Sequence, residues 1–146
     1  MSAKGIGYAT QIDGWMDSKL YVEILEDEFL KTLEHYNFDK KDIIFQQDND
    51  PKHTSKMAQS WFNSHGIELL YWPAQSPDLN PIEHLWAHLK RQLSDYQDHP
   101  KGIHELWEQV EEEWEKITMD VCINLIESMP ARVMAVLKAK GGYTKY

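Results

Sequence analysis

Two carboxylates stand where a chain can build a cation site. Asp48 follows directly on the β-type run Ile43-Ile44-Phe45-Gln46-Gln47, and Glu83 falls in the first turn of a helix expected to open at Asn80-Pro81. Carboxylates at the end of a strand and in a helix suit Mg²⁺ or Mn²⁺, hard ions that prefer oxygen ligands and keep several waters. The carboxyl end of a strand is also where α/β sheets place their sites. The 34 residues between the two are uninformative alone. Spacing leaves a bland alternative equally open. Asp48 could cap the loop before Thr54, and Glu83, three residues after Asn80, could close a capping box with its backbone.

The flanking words decide between these readings. They are Gln47-Asp48-Asn49-Asp50-Pro51-Lys52-His53, then Trp72-Pro73-Ala74-Gln75-Ser76-Pro77-Asp78-Leu79-Asn80-Pro81-Ile82-Glu83, then Leu85-Trp86. Together they resemble the catalytic domain of the Tc/mariner superfamily of DDE transposases. The resemblance implies that Asp48 and Glu83 are the second and third catalytic, metal-binding carboxylates of that family. It implies two Mg²⁺ or Mn²⁺ ions that activate a water or a 3′-hydroxyl and stabilise the leaving oxygen of a phosphodiester. The activity implied is DNA strand cleavage followed by strand transfer. Asn49, Asp50 and His53 belong to the family word and are expected to shape the site. Asn49, Lys52, His53 and Lys90 are the residues expected to contact DNA, with His53 on a substrate phosphate. The loop from Trp72 to Asn80 is expected to orient Glu83.

These residues need an α/β frame. Residues 6 to 12 read as a weak, Gly-broken β segment, and Ile12-Asp13-Gly14-Trp15 as a turn. Ser18 can cap a helix to about Tyr36, with Tyr21, Val22, Leu25, Phe29, Leu33 and Tyr36 on one side. Ile43 to Gln47 reads as a strand buried on both faces. A helix from Thr54 or Ser55 turns Met57, Ala58, Trp61 and Phe62 inward and stops at Gly66. Ile67 to Trp72 is the next strand. Strand, helix and strand in this order predict a βαβ unit with parallel strands. The Pro-rich loop from Pro73 cannot be regular structure. Asn80 then caps a helix with Pro81 in its first turn and Ile82, Leu85, Trp86, Leu89 and Leu93 as its apolar stripe. Glu83, Ala87 and Lys90 share its flank, so Glu83 can look out of the core toward a neighbouring site.

The remainder reads as helical. A helix over about 103–116 buries Ile103, Leu106, Trp107, Val110, Trp114 and Ile117 and exposes Glu108, Glu111, Glu112, Glu113 and Glu115. Thr118 caps a short helix from Met119 to Ser128, and Pro130 opens a last helix ending at Gly141-Gly142. Arg132, Lys138, Lys140 and Lys145 make the one basic tract; a solvated face is favoured over phosphate binding. His84 and His88, four apart, could form a zinc pair, yet no third ligand suggests itself.

Taken whole, 146 residues make one domain's worth of chain. The expected fold is a partial ribonuclease H-like α/β domain spanning 1–146, with the α/β part in 1–94 and C-terminal helices in 103–146. Asp48 and Glu83 are expected to face a common space. Hydrophobic residues at 42% suffice for a core. Fifteen Lys and Arg against 24 Asp and Glu give a net charge of −9. That is the wrong sign for gripping DNA mainly by phosphate neutralisation. The single cysteine, Cys122, rules out an internal disulfide and reads as buried filler. No apolar run is long enough for a bilayer and no signal-peptide pattern is present, so the expected setting is intracellular, and nuclear in a eukaryote.

The resemblance covers residues 7 to 146. It also implies two parts that these residues do not contain: paired helix-turn-helix units and the strand bearing the first catalytic Asp. Asp13 and Asp17 match no family metal position. Two readings remain. One is the C-terminal part of a transposase catalytic domain, binding metal weakly if at all and inactive by itself. The other is a transposase-derived protein-interaction module without catalysis. Without its neighbour, the strand at Ile43 to Gln47 would present unpaired N–H and C=O groups, which invites self-association.

Overall fold

The computed structural model describes residues 1–73, 76–142 and 144–145. Ala74 and Gln75 of the Pro-rich word, and Tyr143 and Tyr146 at the C-terminus, lie outside the described residues. The chain forms two compact units. One comprises 7–75; the other joins 1–6 to 76–146. The boundary falls in the Pro-rich loop, so the helix carrying Glu83 packs with the C-terminal helices.

The first unit opens with α1 (Ser18–Ile24), which passes through a π-helical turn (Leu25–Phe29) into α2 (Leu30–His35). Asp17, not Ser18, is the N-cap: its Oδ1 accepts from the N–H groups of Lys19 and Leu20 at 2.9 and 2.8 Å. An Asp one residue earlier satisfies the same free donors, and Ser18 becomes the first helical residue. Nothing in the sequence signals the π turn, since neither Gly nor Pro lies between Ser18 and His35.

Residues 6 to 12 form no strand. Gly7 instead lies flat against α2, where an added Cβ would come within 2.8 Å of Thr32 Oγ1. The Tyr8 N–H donates to that same oxygen at 3.0 Å, and the hydroxyl donates to Glu28 O. A side chain on a helix thus takes the backbone donor that a strand partner would have taken.

β1 (Ile44–Phe45) and β2 (Glu68–Leu69) flank α3 (Lys56–His65). The strands are parallel, with Ile44 opposite Glu68 and Phe45 opposite Leu69. The βαβ unit is therefore as expected, but each strand is only two residues long. The expectation of a strand buried on both faces fails. Ile43 and Phe45 pack on the core, while Ile44 between them is 57% exposed. Period-two alternation puts Ile44 on the face that α3 does not cover.

Ser55 caps α3, its hydroxyl accepting from the Ala58 N–H, and Gly66 ends it in the left-handed conformation at φ 65°. Ala58, Trp61 and Phe62 are buried with Tyr21, Leu25 and Ile67. Met57 is not buried; the stripe that faces α1 is too narrow to include it.

In the second unit, a 3₁₀ turn (Pro77–Leu79) leads into α4 (Pro81–Ser94), followed by α5 (Ile103–Glu115), α6 (Met119–Glu127) and α7 (Met129–Lys138). The loop at Pro73–Pro81 therefore does contain regular structure, one Pro-initiated turn. Leu85, Ile117 and Cys122 are the buried centre, with Ile6, Ile82, Trp114, Val121 and Leu125 packed around them. Trp86 stacks on Trp114 with ring centroids 5.3 Å apart.

Two residues of α5 depart from expectation. Ile103, the first residue of the helix, is exposed. Glu113 is buried rather than solvated. Its Oε1 accepts from Tyr96 Oη at 2.9 Å and from Lys116 Nζ at 2.7 Å. Lys116, then Tyr96, holds the Glu113 carboxyl below the usual carboxylate range. Burial and the Glu113 carboxylate push the Tyr96 hydroxyl up to about 12.

Candidate functional site: two carboxylates on two supports

Asp48 sits just past β1 at the head of a tight turn. Its Oδ1 accepts from the Asp50 N–H at 3.0 Å and from His53 Nδ1 at 2.6 Å. The Asp50 carbonyl accepts from the N–H groups of His53 and Thr54, which closes the turn. His53 is held in turn by Tyr21: the rings lie 4.3 Å apart, and Tyr21 Oη donates to Gln47 Oε1 at 2.6 Å. Gln47 Nε2 donates back to the His53 carbonyl. Burial, then the charge of Asp48, pushes the Tyr21 hydroxyl well above its ordinary value, so it stays a donor. The Asp48 side chain is 60% exposed all the same, and its Oδ2 has no hydrogen-bond partner among the described residues.

The other residues of this word are engaged locally. Lys52 Nζ lies 2.6 Å from Asp50 Oδ2, and the Lys52 N–H reaches Asp50 Oδ1 at 3.0 Å. These bonds hold the Asp50 carboxyl below its ordinary value. Asn49 Nδ2 donates to the Trp72 carbonyl at 2.9 Å, tying the loop after β1 to the loop after β2. Gln47, Asn49, Thr54, Gln59 and residues 69–72 line an open groove of about 270 Å³ here.

Glu83 stands on the first turn of α4 in the other unit. The Asn80 side chain accepts from the Ile82 N–H at 3.4 Å, and Pro81 occupies the first helical position. The alternative of a capping box is not realised. The Asn80 N–H goes to the Pro77 carbonyl, and the Glu83 carboxylate makes no hydrogen bond or ion pair with a described residue. Glu83, Ala87 and Lys90 are all exposed, as their shared flank requires.

His84, next to Glu83, turns the other way. Its Nδ1 accepts from Arg132 Nη1 at 3.2 Å. Because Arg can only donate, Nδ1 carries no proton there. Burial, then the Arg132 charge, lowers the His84 pKa, against the opposing pull of Glu83. Arg132 is 1% exposed. It is neither a solvated face nor a phosphate contact; it is spent inside the fold. Sequence reasoning missed this role and that of Tyr21, since each depends on a partner remote in the chain.

Each carboxylate, taken within its own unit, suits a hard divalent ion: Asp48 and Glu83 are both exposed and keep oxygen lone pairs free among the described residues. Among the described residues, no group of three or more His, Cys, Asp or Glu side chains could hold a metal ion.

The class is that of the DDE superfamily endonucleases, whose family model matches residues 1–106. The chain belongs to that family. It is 43% identical over 145 residues to the Tcb1 transposase of Caenorhabditis briggsae, covering 99% of this chain and 52% of that protein. It is 50% identical over 104 residues to the Tc1 transposase of Caenorhabditis elegans, covering 71% and 37%. The chain thus spans about half the length, or less, of these curated relatives. Among solved structures, the Mos1 transposase catalytic domain, determined with raltegravir and Mg, superposes with a TM-score of 0.86 at 21% identity, over 98% of this chain and 73% of that one. The Mos1 mariner paired-end complex with Mn gives the same TM-score at 20% identity, over 98% and 43%. The fold is therefore the ribonuclease H-like one, represented here by a short parallel sheet in a mostly helical chain.

Proposed function

We propose that this chain is the C-terminal part of a DDE transposase catalytic domain, and that Asp48 and Glu83 are two of the carboxylates that hold its metal ions. Mg²⁺ or Mn²⁺ bound there would supply the Lewis acidity for cutting and rejoining DNA phosphodiesters. The chain's own contribution is orientation. Asp50 and His53 fix one oxygen of Asp48 and leave the other for a ligand, which is the observation that carries the reading. DNA is the proposed substrate, with Lys90, on the flank of α4 that carries Glu83, and Asn49, Lys52 and His53, in the word around Asp48, as its proposed contacts. In a eukaryotic cell the place of action would be the nucleus.

A chimaera tests this. Joined to the N-terminal half of the Tcb1 transposase in place of its own matching residues, the chain should support excision. Asp48→Asn or Glu83→Gln should each abolish that excision. A chimaera that still excises with either substitution overturns the reading.

Self-association is a second proposal. Among the described residues β1 pairs only with β2, so its other edge offers unpaired backbone groups beside the exposed Ile44. Sedimentation of the purified 146-residue chain should show a mass above the monomer's that rises with concentration. A monomer at high concentration would refute it.

A further inference from the structure

Arg132 is the largest fully buried side chain described, and it carries a charge. Burying a charge is costly unless it is hydrogen-bonded on several sides. Among the described residues its bonds run to three places. Nε donates to Ser128 Oγ at 2.7 Å, one turn back in α7. Nη1 donates to the Asp78 carbonyl at 3.1 Å and to His84 Nδ1 at 3.2 Å. Asp78 belongs to the 3₁₀ turn that feeds α4, and His84 lies on the first turn of α4. Glu83 stands between the two anchored points. A second tie comes from beyond α7: the Thr144 N–H and hydroxyl both donate to Asp78 Oδ2, at 3.2 and 2.9 Å.

We infer that Arg132 is a positioning residue for Glu83. One planar guanidinium grips the turn before the helix and the helix itself, so it fixes the angle at which the first turn leaves the loop. That angle sets the direction of the Glu83 carboxylate. Metal ligands tolerate little misplacement, about 0.5 Å, and depend on the groups that hold their backbone. Residues 107–146 lie past the end of the family match, yet on this account α7 and Thr144 are part of the support of the catalytic site. The metal half of the argument rests on the function proposed above; the positional half does not.

Amide hydrogen exchange, with Mn²⁺-induced broadening of amide signals as a second readout, separates the two halves. Both are read on the whole 146-residue chain. Arg132→Met fills the space and removes every donor; Arg132→Lys keeps the charge and part of the reach. In Arg132→Met the amides of Ile82 to Leu85 should exchange faster by at least about tenfold, as expected for a local opening. Those of Leu89 to Leu93 should change little. Mn²⁺ broadening at Glu83 should weaken, and Arg132→Lys should recover part of both effects. Should Arg132→Met fail to fold, Ser128→Ala, which removes the Nε partner together with that hydroxyl's own bond to the Leu125 carbonyl, should show the same local pattern more weakly. Unchanged exchange at 82–85, or a uniform rise across α4 to α7, overturns the inference. If first-turn exchange rises selectively but the unsubstituted chain shows no Mn²⁺ broadening at Glu83, the metal reading falls and the positional role stands.

Discussion

Incubated with supercoiled plasmid and Mg²⁺ or Mn²⁺, the 146-residue chain by itself should leave the DNA intact. Two-metal phosphodiester chemistry needs carboxylates that clamp both ions at about 4 Å and balance their charge. Asp48 and Glu83 supply two, and among the described residues no third ligand joins either one. A missing clamp removes the alignment of nucleophile and leaving group together, so the expected loss is most of the catalytic effect. Weak binding of a single ion is compatible with this. Robust Mg²⁺-dependent nicking that disappears in Asp48→Ala would show that another side chain takes the third position.

The second large effect is on stability. Phe62 is 1% exposed and packs with the rings of Phe45 and Trp61 at centroid distances of 5.0 and 5.1 Å. It joins α3 to β1, the strand that delivers Asp48. Phe62→Ala removes a whole ring from a small core and should destabilise the first unit by about 3–5 kcal/mol. Small domains have only about 5–15 kcal/mol in total. Chemical denaturation followed by tryptophan fluorescence should therefore show that unit largely or wholly lost at low denaturant. A loss under about 1 kcal/mol would mean that the ring is not packed as described.

The sequence made the carboxylates legible because their neighbours are local. Asn80-Pro81 sets a helix start whatever happens elsewhere, and Ser55 and Gly66 bracket α3 in the same way. The parallel pairing of β1 and β2 followed from the short crossover. What could not be read is whatever tertiary partners decide. From the sequence, Arg132 is one of four bases in a tract expected to be a solvated face. Two of its acceptors lie 54 and 48 residues away, at Asp78 and His84. Glu113 looked like one more acid on an acidic face until Tyr96 and Lys116 came to it. Ile44 and Met57 satisfied the apolar pattern and still face outward, because the elements covering these short strands and this helix are themselves narrow. From the sequence His53 is expected on a substrate phosphate; in the structure its Nδ1 meets Asp48, a contact that the local word alone does not predict.

The central claim is that Asp48 and Glu83, not the acidic surface in general, attract the divalent ion. With a net charge of −9 some Mn²⁺ will gather anywhere. The decisive measurement is residue-resolved broadening of amide signals by substoichiometric Mn²⁺, in the unsubstituted chain and in Asp48→Asn and Glu83→Gln. Selective broadening is expected around Asp48 to His53 and around Glu83, with each substitution removing the effect at its own position. Broadening confined to Glu108, Glu111, Glu112 and Glu115 on α5, and indifferent to both substitutions, would contradict it.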